Sequence, residues 1–84
     1  MTGRLVPFNA VSMRRVPNRT GTYFLFLDGE LLCAGVAAGG ATLRAELEER
    51  LAAPRGERRA TQCYWIETPD ALTAYRLQLA AYAI

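Results

Sequence analysis

The chain has 84 residues, which is enough for one domain with a single modest hydrophobic core. Apolar residues make up 51% and charged residues 21% of the chain, a balance that argues against an intrinsically disordered protein. The net charge of +2 is too small to indicate a polyanionic partner by itself, although all ten basic residues are arginines. No stretch has the length and composition of a signal peptide or a membrane span, so we expect a cytoplasmic protein with no membrane partner.

The two cysteines, Cys33 and Cys63, both lie in apolar stretches of the sequence. A disulfide framework in so short a chain normally uses more than two cysteines. We therefore interpret both as reduced core residues. A bridge between neighbouring strands is the less favoured alternative.

Residues 1–20 form a leading segment ahead of the domain proper. Phe8, Val11 and Val16 are expected to pack at the edge of the sheet, and residues 12–15 are expected to make a helical turn. The proline that follows Val16 ends this turn, because proline disfavours the helical conformation at the residue before it.

A β-hairpin is predicted over residues 21–36, where two apolar runs flank Asp28-Gly29. An Asp-Gly pair suits a two-residue turn because both turn positions need a positive φ. The first run, Tyr23 to Leu27, is apolar on both faces, and such a strand is usually buried on both sides of its sheet. The second run covers residues 31–36, and the glycines after it indicate that the chain leaves the sheet there.

A first long helix is predicted after Gly39-Gly40. Thr42 is a suitable N-cap, because its hydroxyl can accept a hydrogen bond from an N–H group of the first turn. The leucines at positions 43, 47 and 51 recur at i, i+4 and i+8, so one side of this helix is apolar and is expected to lie on the sheet. Pro54 and Gly56 are expected to end the helix.

A third strand is predicted over residues 61–67, followed by a final helix. Thr68-Pro69-Asp70 predicts the start of that helix, with Thr68 as the hydroxyl cap and an acid in the first turn. The final helix carries four large apolar side chains at recurring positions: Leu72, Tyr75, Leu79 and Tyr82.

Together these elements predict an α+β fold, with one domain over residues 21–84 behind the leading segment of residues 1–20. The predicted order is β-β-α-β-α, which gives a small three-stranded, mostly antiparallel sheet packed with helices. These patterns do not determine the order of the strands in the sheet.

The predicted hairpin resembles the core of the GIY-YIG nuclease family. Gly21-Thr22-Tyr23 stands where the first signature triplet falls, and Cys33-Ala34-Gly35 stands where the second falls. Val16-Pro17 precedes the first triplet, and a Leu-Arg-x-x-Leu-x-x-x-Leu helix follows the second, as in the family. The similarity extends over roughly residues 7–82. It implies a GIY-YIG-like fold, a metal-dependent endonuclease activity and a Mg²⁺ or Mn²⁺ ion.

The resemblance also implies five functional positions, of which this chain keeps one. Tyr23 matches the tyrosine of the first triplet, although a buried strand aromatic is the simpler interpretation of this residue. Cys33 replaces the tyrosine of the second triplet, and a thiol on an apolar strand is a poor substitute for an oriented phenol. Glu46 replaces the helix arginine and repels phosphate, while Arg50 replaces a histidine one turn later. No acid lies between residues 71 and 84 to match the metal-binding glutamate.

We therefore expect neither a metal site nor nuclease turnover. The chain has no histidine, no carboxylate cluster and no paired cysteines from which a metal site is usually built. The loss of a single transition-state donor already costs on the order of a hundredfold in rate. Glu46 and Arg50 are instead predicted to form a surface ion pair at i, i+4, worth about 0.3 kcal/mol.

The favoured hypothesis is a catalytically degenerate GIY-YIG-like domain that binds DNA or RNA without cleaving it. Arginine suits phosphate, and Tyr64 and Trp65 suit base stacking, although solvated surface arginines are the simpler interpretation. The nucleic-acid-binding candidates are Tyr23, Arg44, Arg50, Arg58 and Arg59, and the wider basic rim adds Arg14, Arg15, Arg19 and Arg55.

Two other functions remain open. A protein–protein interaction or dimerisation module is favoured by the low net charge and by the apolar final helix, with Tyr75, Tyr82 and residues 80–84 as its surface. The second of these functions is an active metal-dependent endonuclease with shifted catalytic residues. A thiol enzyme built on Cys33 is disfavoured, because no histidine is present to act as its base.

Overall fold

The computed structural model describes residues 3–52 and 60–82 of the chain. The elements in these two ranges are β1 (Gly3–Pro7), α1 (Ala10–Met13), β2 (Gly21–Leu27), β3 (Glu30–Ala37), α2 (Leu43–Ala52), β4 (Gln62–Glu67) and α3 (Ala71–Tyr82). The predicted helix end at Pro54 and Gly56 lies outside the described residues. None of the helices described has the length and apolarity needed to cross a membrane.

The strands described form one antiparallel sheet in the order β1-β4-β2-β3. The predicted α+β class and antiparallel sheet are confirmed. The predicted count of three strands is wrong, because β1 belongs to the sheet and pairs with β4, where Leu5 lies opposite Tyr64. The apolar run Leu5-Val6 is too short for its alternation to indicate a strand, and the partner that stabilises it lies far along the sequence.

The turn between β2 and β3 has the predicted conformation. Asp28 and Gly29 both have positive φ, at 48° and 87°, as a two-residue hairpin turn requires. Beyond the turn, the pairing register shifts between Leu25 and Phe26. This shift leaves Leu32 as the extra residue of a β-bulge in β3. Because side chains alternate between the faces of a sheet, the bulge changes which residues of β3 share a face with a given residue of β2.

The hydrophobic core lies between helices α1 and α2 and one side of the sheet, which we call the α2 face. Val16 is fully buried there and Phe8 packs against this core. Val11 is 68% exposed, so its predicted packing is wrong: in the short helix α1 it is Met13 that turns inward. The largest fully buried apolar side chains of this core are Met13, Val16, Tyr23, Leu43, Leu47 and Cys63.

The two long helices begin with different caps. The hydroxyl oxygen of Thr42 accepts a hydrogen bond from the N–H of Ala45 at 3.2 Å, so Thr42 caps α2 as predicted. In α3 the predicted cap is wrong, because a carboxylate oxygen of Asp70 accepts from the N–H of Thr73 at 2.8 Å. The N–H of Thr68 is bonded to the turn before β2, which places Thr68 in the connection ahead of the helix. The hydrogen bond from Thr73 lowers the pKa of Asp70.

Helix α3 covers the other side of the sheet, which we call the α3 face, and also reaches the free edge of β3. The buried hydroxyl of Thr22 donates to the carbonyl oxygen of Ala74 at 2.7 Å. At the edge, the hydroxyl of Tyr82 accepts from the N–H of Ala34 at 2.9 Å, and the side-chain amide of Gln78 donates to the carbonyl oxygen of Ala34 at 3.0 Å. These bonds satisfy backbone groups that an uncovered edge strand leaves available for pairing with another chain.

Cys33 and Cys63 are free thiols, as predicted. Leu25 pairs with Cys33 on one side and with Cys63 on the other, so the two cysteines are two strand spacings apart. Two spacings amount to about 10 Å, whereas a disulfide needs Cα atoms within about 7 Å of each other. The sheet register therefore keeps the thiols apart.

We predict that Cys63 makes the fold sensitive to alkaline pH. Burial raises the pKa of the Cys63 thiol to about 11, whereas an exposed thiol ionises near pH ~8.5. Between these values the folded chain keeps a proton that the unfolded chain has lost, so this stabilisation is complete below pH ~8.5 and is lost as the pH rises toward ~11. The expected loss is on the order of 3 kcal/mol in the free energy of unfolding.

Urea unfolding of the wild type and of Cys63→Ala across this pH range measures the effect. The variant is less stable at neutral pH but is expected to lose less stability on going from neutral to alkaline pH. Since the two proteins differ only at residue 63, two parallel pH profiles would contradict the prediction.

Candidate functional site

The register of the hairpin brings the two signature-like triplets face to face. Tyr23 lies directly opposite Gly35, and both belong to the α2 face of the sheet. A Cβ atom built on Gly35 would overlap the ring and the hydroxyl oxygen of Tyr23. The tyrosine ring therefore passes directly over the backbone of β3, at a point where only glycine leaves room for it.

Helix α2 places two charged side chains beside this pair. Glu46 and Arg50 are four positions apart and so lie on the same side of the helix. The Cζ atom of Arg50 lies 5.8 Å from the centroid of the Tyr23 ring, which is a cation–π distance. Electrostatic interactions connect Arg50 with Tyr23, Cys33 and Glu46. The structure thus brings together the four residues that stand at positions implied by the GIY-YIG resemblance, Tyr23, Cys33, Glu46 and Arg50.

Tyr23 is buried, with only 1% of its surface exposed. Burial raises the pKa of its phenol; Arg50 opposes this rise and Glu46 adds to it. The phenol is therefore protonated at neutral pH, and its hydroxyl lies against Gly35 inside the core. A tyrosine in this position has no surface with which to orient a phosphate or an attacking water.

Cys33 lies half-buried near Tyr23 on the same face. Burial raises the pKa of the Cys33 thiol, and the neighbouring Arg50 only partly opposes the rise. A nucleophilic cysteine needs the opposite, a lowered pKa and an adjacent base. The geometry gives no support to a thiol enzyme.

Within the described part of the chain, Glu46 and Arg50 do not make the predicted ion pair by direct contact. Arg50 directs its guanidinium to the Tyr23 ring, and Tyr23 makes the largest contribution to its raised pKa, with a smaller one from Glu46. An exposed ion pair has to immobilise two long side chains for little gain. The ring offers Arg50 a partner that core packing already holds in place.

The donor atoms of this site do not fit the metal that the family resemblance implies. Tyr23 and Cys33 are protonated, which leaves Glu46 as the one carboxylate, and it lies beside Arg50. Mg²⁺ and Mn²⁺ prefer octahedral coordination by oxygen ligands, which include carboxylates and water. Within residues 3–52 and 60–82, no group of three His, Cys, Asp or Glu side chains is arranged to hold a metal ion.

The nucleic-acid-binding candidates are distributed over several environments. Arg44 points away from the site: its Nε donates to the carbonyl oxygen of Val16 at 2.8 Å, and a terminal nitrogen donates to that of Arg14. Arg44 therefore fastens α2 to the segment after α1. Arg14, Arg15, Arg19 and Arg50 are exposed. Arg55, Arg58 and Arg59 lie outside the described residues.

The prediction that Tyr64 and Trp65 stack on nucleic-acid bases is wrong for Trp65. Trp65 is 6% exposed and belongs to the core on the α2 face. Tyr64 lies on the α3 face, where its ring centroid is 5.7 Å from that of Phe24. Neighbouring residues of a strand point to opposite faces, so the two rings cannot form one stacking platform.

The role of Gly35 is the feature of this site that the sequence pattern does not reveal. A regular hairpin numbered from the Asp28-Gly29 turn places Ala34 opposite Tyr23. The bulge at Leu32 moves the register by one residue and puts Gly35 there. The local signal for it, a glycine within an apolar strand, indicates a bulge or a close approach without saying which residue approaches.

No protein-family model, no curated protein and no solved structure matches this chain.

Gly35→Ala is predicted to lower the free energy of unfolding by about 1–3 kcal/mol, because the added methyl group overlaps the Tyr23 ring and the core has to shift. Urea unfolding followed by circular dichroism measures the change. In a Tyr23→Leu background the same substitution is expected to cost less, since the ring it meets has gone. An equal cost in both backgrounds would contradict a direct contact.

Proposed function

We propose that this chain is a GIY-YIG-like domain that binds nucleic acid without cleaving it. The observation that supports this most directly is the exposed Arg50 beside the buried Tyr23. The family's first tyrosine is closed off from solvent, and the surface at that position carries a guanidinium. A phosphate that approaches this surface meets a cation and no catalytic phenol.

Phosphodiester cleavage requires groups that activate water and that stabilise the charge developing on the phosphate. At this site the phenol of Tyr23 is buried, the thiol of Cys33 is protonated and Glu46 is an anion close to where the phosphate would lie. None of these three supplies an oriented donor or a metal ligand set. This composition supports binding without turnover.

Arginine is the main group by which this surface can attract a polyanion. Its planar guanidinium pairs with phosphate oxygens through two hydrogen bonds and stays charged at any physiological pH. Arg50 lies on α2, and the exposed Arg14 and Arg15 follow α1, which packs on the same side of the sheet. Glu46 reduces the local positive potential, so the expected binding is modest and depends strongly on salt.

Arg50→Gln is expected to weaken binding to a short DNA duplex about fivefold at low salt and to reduce the slope of log K against log[salt] by about 1, because one phosphate contact is lost. Arg76→Gln is the matched control, since Arg76 is an exposed arginine on α3, across the sheet. Fluorescence anisotropy with labelled duplex and single-stranded DNA measures both variants. The proposal fails if wild-type protein does not bind at low salt, or if both substitutions have the same effect.

Purified wild-type protein is predicted to leave supercoiled plasmid and branched DNA uncut in the presence of Mg²⁺ or Mn²⁺, because the site lacks a solvent-facing phenol and a metal ligand set. Agarose gel electrophoresis after prolonged incubation is the readout. Metal-dependent nicking that disappears in Tyr23→Phe would instead support the active endonuclease. That variant keeps the ring and so keeps most of the core packing.

A role in protein association is the second candidate function. The specific observation in its favour is the outward side of α3, where Leu72, Tyr75, Leu79 and Tyr82 are each more than half exposed. This surface lies across the sheet from Arg50. The two functions are therefore compatible within one domain.

A further inference from the structure

Helix α3 presents an apolar stripe to solvent. Its side chains are Leu72, 59% exposed, Tyr75, 52%, Leu79, 68%, and Tyr82, 57%. At 100° per residue these four positions span about 80° of the helix circumference, so they form one continuous surface beside the side that packs on the sheet. Scattered exposed apolar residues are ordinary, whereas a contiguous set of this kind marks an interaction surface.

Tyr82 is tied to β3 by its hydroxyl although its ring is 57% exposed. Its hydroxyl accepts from the N–H of Ala34 at 2.9 Å and donates to the carbonyl oxygen of the same residue at 3.0 Å. A side chain fixed in this way loses little conformational freedom when a partner covers it. Aromatic rings anchored by a polar tip are favoured at interfaces for the same reason.

The spacing of the stripe is symmetric about its own midpoint. The residues follow one another at intervals of three, four and three positions, and the midpoint falls at Leu77. When two such helices pack antiparallel about a two-fold axis, position 75 meets position 79 of the partner and position 72 meets position 82. Each contact then pairs a tyrosine ring with a leucine, so that no two tyrosine rings have to occupy the same place.

The charge distribution also permits self-association. No acid occurs in α3, and Arg76 is its one charged residue within residues 71–82. Arg76 lies at the flank of the stripe, about 80° from its centre at 100° per residue, so it can stay in water when the stripe is covered. No charge has to be desolvated at the centre of the interface.

We propose that α3 is a homodimerisation surface and that its partner is a second copy of this chain, packed antiparallel through the stripe about a two-fold axis. Eight half-exposed side chains of about 100 Å² each bury about 800 Å² in total. This is below the ~1,200 Å² of a standard stable interface. The dimer is therefore weak, with a dissociation constant in the range of about 1–100 μM.

Sedimentation velocity over a concentration series tests the dimer. The wild type is expected to shift from monomer to dimer between about 1 and 500 μM. Leu79→Glu is expected to weaken association at least tenfold, because it places a charge in the apolar contact. The matched control is Val11→Glu: Val11 is also 68% exposed but lies on α1, so dimerisation is expected to be unchanged. Circular dichroism checks that both variants are folded.

A mixing experiment tests the register. Leu79→Glu and Tyr75→Arg, each weak alone, are expected to form a heterodimer when mixed, because positions 79 and 75 meet across the two-fold axis. Leu79→Glu mixed with Leu72→Arg gives no such recovery, since position 72 meets position 82. Equal recovery in both mixtures would overturn the antiparallel register.

The dimer itself is overturned if wild-type protein remains monomeric at about 500 μM, or if Leu79→Glu and Val11→Glu have equal effects. After either of these two outcomes, binding of a different protein to the stripe would not support the homodimer. Salt separates this test from that of nucleic acid binding. Association through an apolar stripe holds or tightens as salt rises, whereas binding of phosphate by arginine weakens.

Discussion

The contact between Tyr23 and Gly35 is the constraint on which the rest of the site depends. A tyrosine ring can cross a neighbouring strand at close range only where that strand has no Cβ, and the bulge at Leu32 supplies the glycine at the required position. With the ring held there, the phenol is inside the core. Arg50 then has a fixed aromatic surface beside it.

This arrangement turns a position that resembles a catalytic one into part of the hydrophobic core. Low exposure raises the pKa of Tyr23 and of Cys33, which keeps both groups neutral. The charges that remain at the surface, Glu46 and Arg50, are of opposite sign and belong to one helix. Bond cleavage requires a concentrated set of donors, whereas the proposed binding of nucleic acid needs only an exposed guanidinium such as that of Arg50.

The sheet separates two surfaces of different character. On the side of the α2 face, the exposed Arg14, Arg15 and Arg50 lie on the segments that cover a filled core. The α3 face carries an exposed apolar stripe that contains a tyrosine fixed by hydrogen bonds to Ala34. The same residue, Tyr82, closes the edge of β3 and shapes the surface of α3. A dimer formed through α3 leaves the arginines of both copies facing outward, so the two proposed roles do not compete for the same residues.

The sequence alone determined the α+β class, the Asp28-Gly29 turn and the Thr42 cap, because each depends on residues close together in the chain. The four positions implied by the GIY-YIG resemblance also lie together in the fold. Only the tertiary structure decided that β1 joins the sheet, that Trp65 and Tyr23 are buried, and that Gly35 lies beneath the tyrosine ring. The reason is physical: these outcomes depend on pairing register and on packing between segments distant in sequence, and a single bulge residue changes which side chains meet without changing the local pattern.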